Sequence, residues 1–136
     1  MKSVILIILF INFYSITFAE VLCTDPSSAE MSASSISNWE EAYSSYKEYK
    51  NCDDGSIAEG YSESISKLLA HKWNEISKLK QIIKTDNSFF MFVLKHIDET
   101  TSYQETIYKN SKNLCPEGSE IICNQISEKA LSILKN

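Results

Sequence analysis

Four cysteines, Cys23, Cys52, Cys115 and Cys123, constrain what this chain can fold into more than any other feature. What they do depends on the compartment, and the N-terminal residues point to one. Lys2 precedes an unbroken apolar run over residues 4–10, and Thr17-Phe18-Ala19 puts small residues at the two positions a signal peptidase reads. Charge, apolar core and small residues in that order make a cleavable export signal. Residues 1–19 are therefore expected to be a signal peptide, with the mature chain starting near Glu20 and destined for a periplasm or for secretion. The apolar core is short for a span of about 20 residues. A lipid-modified Cys23 is not expected, because Glu20 and Leu22 stand where small or apolar residues would be needed. No later segment is apolar enough to cross a bilayer, so no membrane contact is expected after cleavage.

In an exported small domain an even cysteine count reads as disulfides. A metal site would want short paired spacings such as C-x-x-C, and the sequence contains none. We expect two disulfides, no free thiol, no metal and no cofactor. Residues beyond the signal are of one-domain length, enough for one modest core.

The chain carries 18 acidic residues against 13 basic ones, for a net charge of −5. That balance disfavours nucleic acid, which rewards clustered cations. It is compatible with a cationic protein partner. Every basic residue is a lysine; arginine, whose planar fork grips carboxylate and phosphate, is absent.

Residues 20–35 are serine-rich, contain Pro26 and hold no sustained period, which reads as an extended N-terminal arm. Residues 36–136 read as a single helical domain. Ser37-Asn38-Trp39-Glu40 fits a capping box, and Trp39, Tyr43, Tyr46 and Tyr49 then recur at three and four residues, as on one helix face. Cys52-Asp53-Asp54-Gly55 ends that helix near Asn51. Ser56 to Glu59 fits a second box. Ile57, Tyr61, Ile65, Leu68/Leu69, Trp73, Ile76, Leu79 and Ile83 continue as one long amphipathic stripe. Gly60 inside it costs about 1 kcal/mol relative to Ala, which a close helix contact would explain. The run from Phe89 to Leu94, behind Asp86-Asn87-Ser88, predicts a buried helix ending near Glu99. A short helix from Tyr103 to Leu114 and a C-terminal one from Ile121 to Leu134 follow. Three glycines and two prolines leave little material for a β-rich fold. The expected fold is all-α: a disulfide-stapled bundle of about four to five helices. If the long helix runs away from Cys52 and the next two return, Cys115 ends beside Cys52. Cys52–Cys115 and Cys23–Cys123 are the pairings this predicts.

The densest polar cluster is Asp53, Asp54, Glu59 and Glu63. Glu59 and Glu63 share a helix face, and paired carboxylates can do acid–base work. Dipole complementarity and turn formation explain the same residues. The ligand spacing of a calcium-binding loop is missing. His96-Ile97-Asp98 hints at an oriented base, but no nucleophile motif, zinc motif or phosphate loop accompanies it. No catalytic residue is assigned. The aromatic stripe of Trp39, Tyr43, Tyr46, Tyr49 and Trp73 reads as core, or else as the lining of an apolar ligand pocket.

The segment from Tyr49 to Tyr61, the Phe-rich helix, His96-Ile97-Asp98 and Cys115-Pro116 together resemble small exported bacterial proteins of unassigned function. The overall design, from Trp39 to Cys123, is similar to periplasmic immunity proteins that neutralise type VI secretion amidase effectors. That resemblance implies a helical, disulfide-bonded, exported protein and a toxin as partner. No inhibitory residue carries over, because no inhibitory loop matches position by position. The expected function is non-enzymatic binding of a protein partner. A carrier of a small apolar ligand and a hydrolase using the acidic cluster are the alternatives.

Overall fold

A computed structural model describes residues 22–135. The expected signal peptide lies outside the described residues. Among the described residues there are seven α-helices and no strand: α1 (Pro26–Ser35), α2 (Trp39–Tyr49), α3 (Gly55–His71), α4 (Ile76–Thr85), α5 (Asn87–Lys95), α6 (Gln104–Asn113) and α7 (Glu120–Leu134). Short 3-10 turns, Lys50–Cys52 and Trp73–Glu75, follow α2 and α3. None of these helices is long and apolar enough to cross a membrane.

The all-α class and the disulfide staples agree with the sequence; the helix count is higher, for two local reasons. The N-terminal arm is not extended. Asp25 accepts the Ser28 amide at 3.0 Å, and Pro26 sits in the first turn of α1, where its missing N–H costs nothing. Ala29 and Ala33, four residues apart, are fully buried. Small residues make a weak hydrophobic period, so the helix is hidden in composition. The long stripe after Ile57 is also two helices. It breaks at Lys72, and the Trp73–Glu75 turn redirects the chain before α4. The buried positions keep helical spacing across the break because Trp73 turns inward to donate its indole N–H to the Leu114 carbonyl at 2.8 Å.

Capping is offset from the expected boxes by one or two residues. Asn38, not Ser37, caps α2 by accepting the Glu41 amide at 2.9 Å. Glu41 then reaches back to accept the Ser37 amide, one residue before the cap, at 2.8 Å, a variation on the reciprocal bonding of a capping box. Asp54, not Ser56, caps α3.

The close contact expected at Gly60 is where α1 crosses α3. A Cβ built on Gly60 would lie 3.4 Å from the Ala33 Cβ, and the Ser64 hydroxyl donates to the Ala33 carbonyl at 2.7 Å. A methyl group just fits and a larger side chain does not. Gly60→Ala should raise the melting temperature, since it gains about 1 kcal/mol of helix propensity. Gly60→Leu should lower it and expose α1 to limited proteolysis; equal effects of the two would exclude the close crossing.

Both expected disulfide pairings are wrong. The bonds are Cys23–Cys52 and Cys115–Cys123, with Cα–Cα distances of 4.6 and 6.0 Å. Cys52 precedes α3, whereas Leu114 and Cys115 sit beside Trp73 at its far end. A 17-residue helix separates the two by about 25 Å. The chain does come back to Cys52, but at the end of α5, where His96 meets Asp53. Then α6 runs out again, with the Asn110 amide donating to the Leu69 and Ala70 carbonyls near the end of α3. Cys115 therefore pairs locally, across the turn to α7, and Cys23 pairs with Cys52 because α1 lies along α3.

The core is aromatic where α2, α3 and α5 meet. Tyr46 lies 5.3 Å from Phe89 and 4.9 Å from Phe92, and Tyr61 meets Phe92 edge-on at 4.9 Å. Such tilted and edge contacts add to the area term. Trp39, Tyr46 and Trp73 are buried and Tyr43 and Tyr49 half-buried in this core. The stripe fills the interior and does not line the surface recesses described below.

Candidate functional site

The strongest polar constellation in the interior joins three chain segments. The 3-10 turn after α2 presents Asp53, α3 presents Ser62, and the turn after α5 presents His96 and Asp98. His96 Nε2 is 3.2 Å from Asp53 Oδ2, and His96 Nδ1 is 2.9 Å from Ser62 Oγ. The Ser62 hydroxyl donates to Asp98 Oδ2 at 2.5 Å. Thr100 donates its amide to Asp98 Oδ1 at 2.9 Å, and Lys95 reaches Asp53 Oδ2 at 2.6 Å. His96 and Ser62 are each 1% exposed.

Proton counting assigns the donors. A hydroxyl carries one proton, and Ser62 gives it to Asp98. His96 Nδ1 is then placed to donate to Ser62, and Nε2 lies within reach of the Asp53 carboxylate. Burial alone would raise the Asp53 carboxyl, but hydrogen bonds from His96 and Lys95 outweigh it and hold the carboxyl below the usual range. Asp98 is likewise pushed up by burial and pulled below the usual range by Ser62 and Thr100. Asp53 Oδ1 and the Trp39 indole nitrogen are buried with no hydrogen-bond partner.

Serine, histidine and aspartate side by side invite comparison with a nucleophilic triad. There the serine gives its proton to the histidine, which an aspartate orients from the other ring nitrogen. Here the Ser62 proton is directed to a carboxylate and the hydroxyl is out of solvent. The constellation works as a clasp that ties the disulfide-anchored turn at Cys52 to α3 and to the end of α5.

The acidic cluster expected from the sequence is dispersed over four environments. Asp53 is in the clasp. Asp54 caps α3, accepting the Gly55 amide at 2.8 Å. Glu59 is exposed. Glu63 pairs with Lys67 at 2.9 Å and accepts the Tyr103 hydroxyl at 3.3 Å. Among the described residues no group of three or more His, Cys, Asp or Glu could hold a metal ion. His96 and Asp98 do come together, but through Ser62, which sequence reasoning missed. The signal for it was a serine inside the buried stripe of α3, since a buried hydroxyl needs a partner.

A groove of about 450 Å³ lies on the surface between α1 and α2. Ser32 and Ser45, hydrogen-bonded at 2.8 Å, form its floor with Ile36. Glu40 and Glu41, then Ser44 and Glu48 at three- and four-residue spacing, run along its α2 wall. The Ser37 amide and hydroxyl hold Glu41 below the usual carboxylate range. Lys78 stands 3.8 Å from Glu40 at one end; Glu48 has no ion-pair partner among the described residues.

No protein-family model, curated protein or solved structure matches this chain. The functional reading rests on the geometry and on the chemistry of the exposed side chains.

Proposed function

We propose that this chain is an exported, non-enzymatic protein that binds a basic segment of a protein partner in the α1–α2 groove, as a periplasmic immunity protein binds a secreted toxin. The groove supports this: it is open to the surface, and its wall presents three glutamates over a hydrogen-bonding serine floor. Carboxylates so placed suit lysine or arginine side chains, with charge complementarity setting association rate and specificity. Two disulfides suit an oxidising compartment, which is where such a partner would be met. The α1 wall of the groove is tied to the core by Cys23–Cys52, so the recess is preformed.

The test is co-export with the toxin encoded beside the gene. Wild-type protein should restore growth and bind the toxin in a salt-dependent way. Glu40→Lys/Glu48→Lys should weaken binding at least tenfold with an unchanged melting temperature. No protection and no binding would overturn the immunity reading, and full protection by the charge-reversed variant would overturn the groove as its site.

A further inference from the structure

We propose that the face made by α4, α5 and α7 docks an acidic amphipathic helix of a protein partner. It lies apart from the α1–α2 groove, and its support is independent of the function proposed above.

Two open recesses lie along α7. The first, about 260 Å³, is at its start, where Ile83 of α4 meets Ile121 and Ile122 and where Lys80 and Lys84 stand at the rim. The second, about 360 Å³, is lined by Met91 and Leu94 of α5, with Lys95 and Lys129 beside them. At 100° per residue Ile121, Ile122 and Lys129 fall on one face of α7. Ile122 and Lys129, one marking each recess, are seven residues and about 10 Å apart along the axis.

The fold leaves apolar side chains uncovered here. Ile121 is 77% exposed and Met91 60%. Exposed apolar surface rimmed by polar groups marks interaction sites. The charge at this face opposes that of the whole molecule, which is −5. Lys80, Lys84 and Lys129 have no ion-pair partner among the described residues, and only Lys95 is engaged, by Asp53. Glu120 is the one carboxylate lining either recess; it accepts the Gly118 amide at 2.9 Å.

Recesses marked by two α7 residues about 10 Å apart along the axis match side chains at i and i+7 of a docked helix. The lysine rims then call for glutamate or aspartate on its flanks. A flat anionic membrane would meet the tips of Ile121 and Met91 and the lysines, but it would not fill two concave recesses. The observations favour the helix.

The probe is a designed 18-residue helical peptide with leucines seven residues apart flanked by glutamates, and a control with lysines in place of the glutamates. Amide shifts of the full chain should concentrate at Ile83, Met91, Leu94, Ile122 and Lys129 with the acidic peptide and be absent with the basic one. Lys80→Glu/Lys84→Glu and Met91→Ser, all partly or fully exposed positions, should each weaken binding at least tenfold, whereas Glu48→Lys should leave it unchanged. No binding of the acidic peptide, or shifts confined to α1 and α2, would overturn the proposal. Vesicles of phosphatidylglycerol that shift these residues while the peptide does not would overturn it in favour of a lipid surface.

Discussion

Replacing His96 by alanine should cost about 1–3 kcal/mol of stability in urea unfolding, the range for leaving a buried hydrogen-bonding group without its partner. The cost arises mainly in what is left behind. Asp53 already has one oxygen without a partner; without the imidazole its other oxygen keeps only Lys95, whose side chain is 58% exposed. Ser62 loses a partner at the same time. Lys95→Ala should cost less than about 1 kcal/mol, as solvated ion pairs do. Asp53→Ala combined with His96→Ala should be less destabilising than the sum of the two, because the second change removes a group the first has stranded. Strict additivity would show that the two do not interact. The same clasp sets an acid limit. Asp53 and Asp98 have folded-state pKa values below their unfolded ones. Their contribution is therefore present above the unfolded value near 4 and is lost as pH falls through 4 toward the folded values. Thermal melts should fall steeply below about pH 4, and less steeply in Asp53→Asn.

Removing the Cys23–Cys52 bond as a double alanine variant should cost about 3–4 kcal/mol, and removing Cys115–Cys123 about 2–3 kcal/mol. The difference follows from loop length in the chain-entropy account, with the first pair 29 positions apart and the second 8. The structural consequences should differ as well. Loss of the first bond frees the start of α1 and one wall of the groove. Loss of the second loosens only the turn from α6 into α7. Urea midpoints and protection of α1 amides from exchange read both effects. Equal destabilisation, with α1 equally protected in the two variants, would contradict this assignment of roles. Non-reducing peptide maps should recover the same two pairs.

The helical class was legible because Tyr61, Ile65, Leu69, Trp73, Ile76 and Leu79 repeat at a spacing that only helices bury on one side. The existence of two disulfides was legible from the cysteine count. Helix α1 was not legible as a helix, because its buried alanines pack on α3, far along the chain, where Ala33 meets Gly60. The break at Lys72 was hidden because Trp73 and Ile76 stay buried on either side of it. Of the candidate site, Asp53 and the His96–Asp98 pair could be named as polar residues in need of an explanation. The clasp that joins them could not be read from spacing, since it depends on contacts across 34 to 43 positions, whereas the local roles of Asp54 and Glu63 in a cap and an i,i+4 ion pair lay within reach of the sequence.

By itself the amino-acid sequence determined which faces turn inward from Trp39 onward, because periodicity is local, and it determined that four thiols would close into two bonds, because their number is even. Only the tertiary structure decided which thiol meets which. Pairing depends on where α3 stops and where α6 reverses, and a single break or turn moves a cysteine by the 25 Å length of a helix.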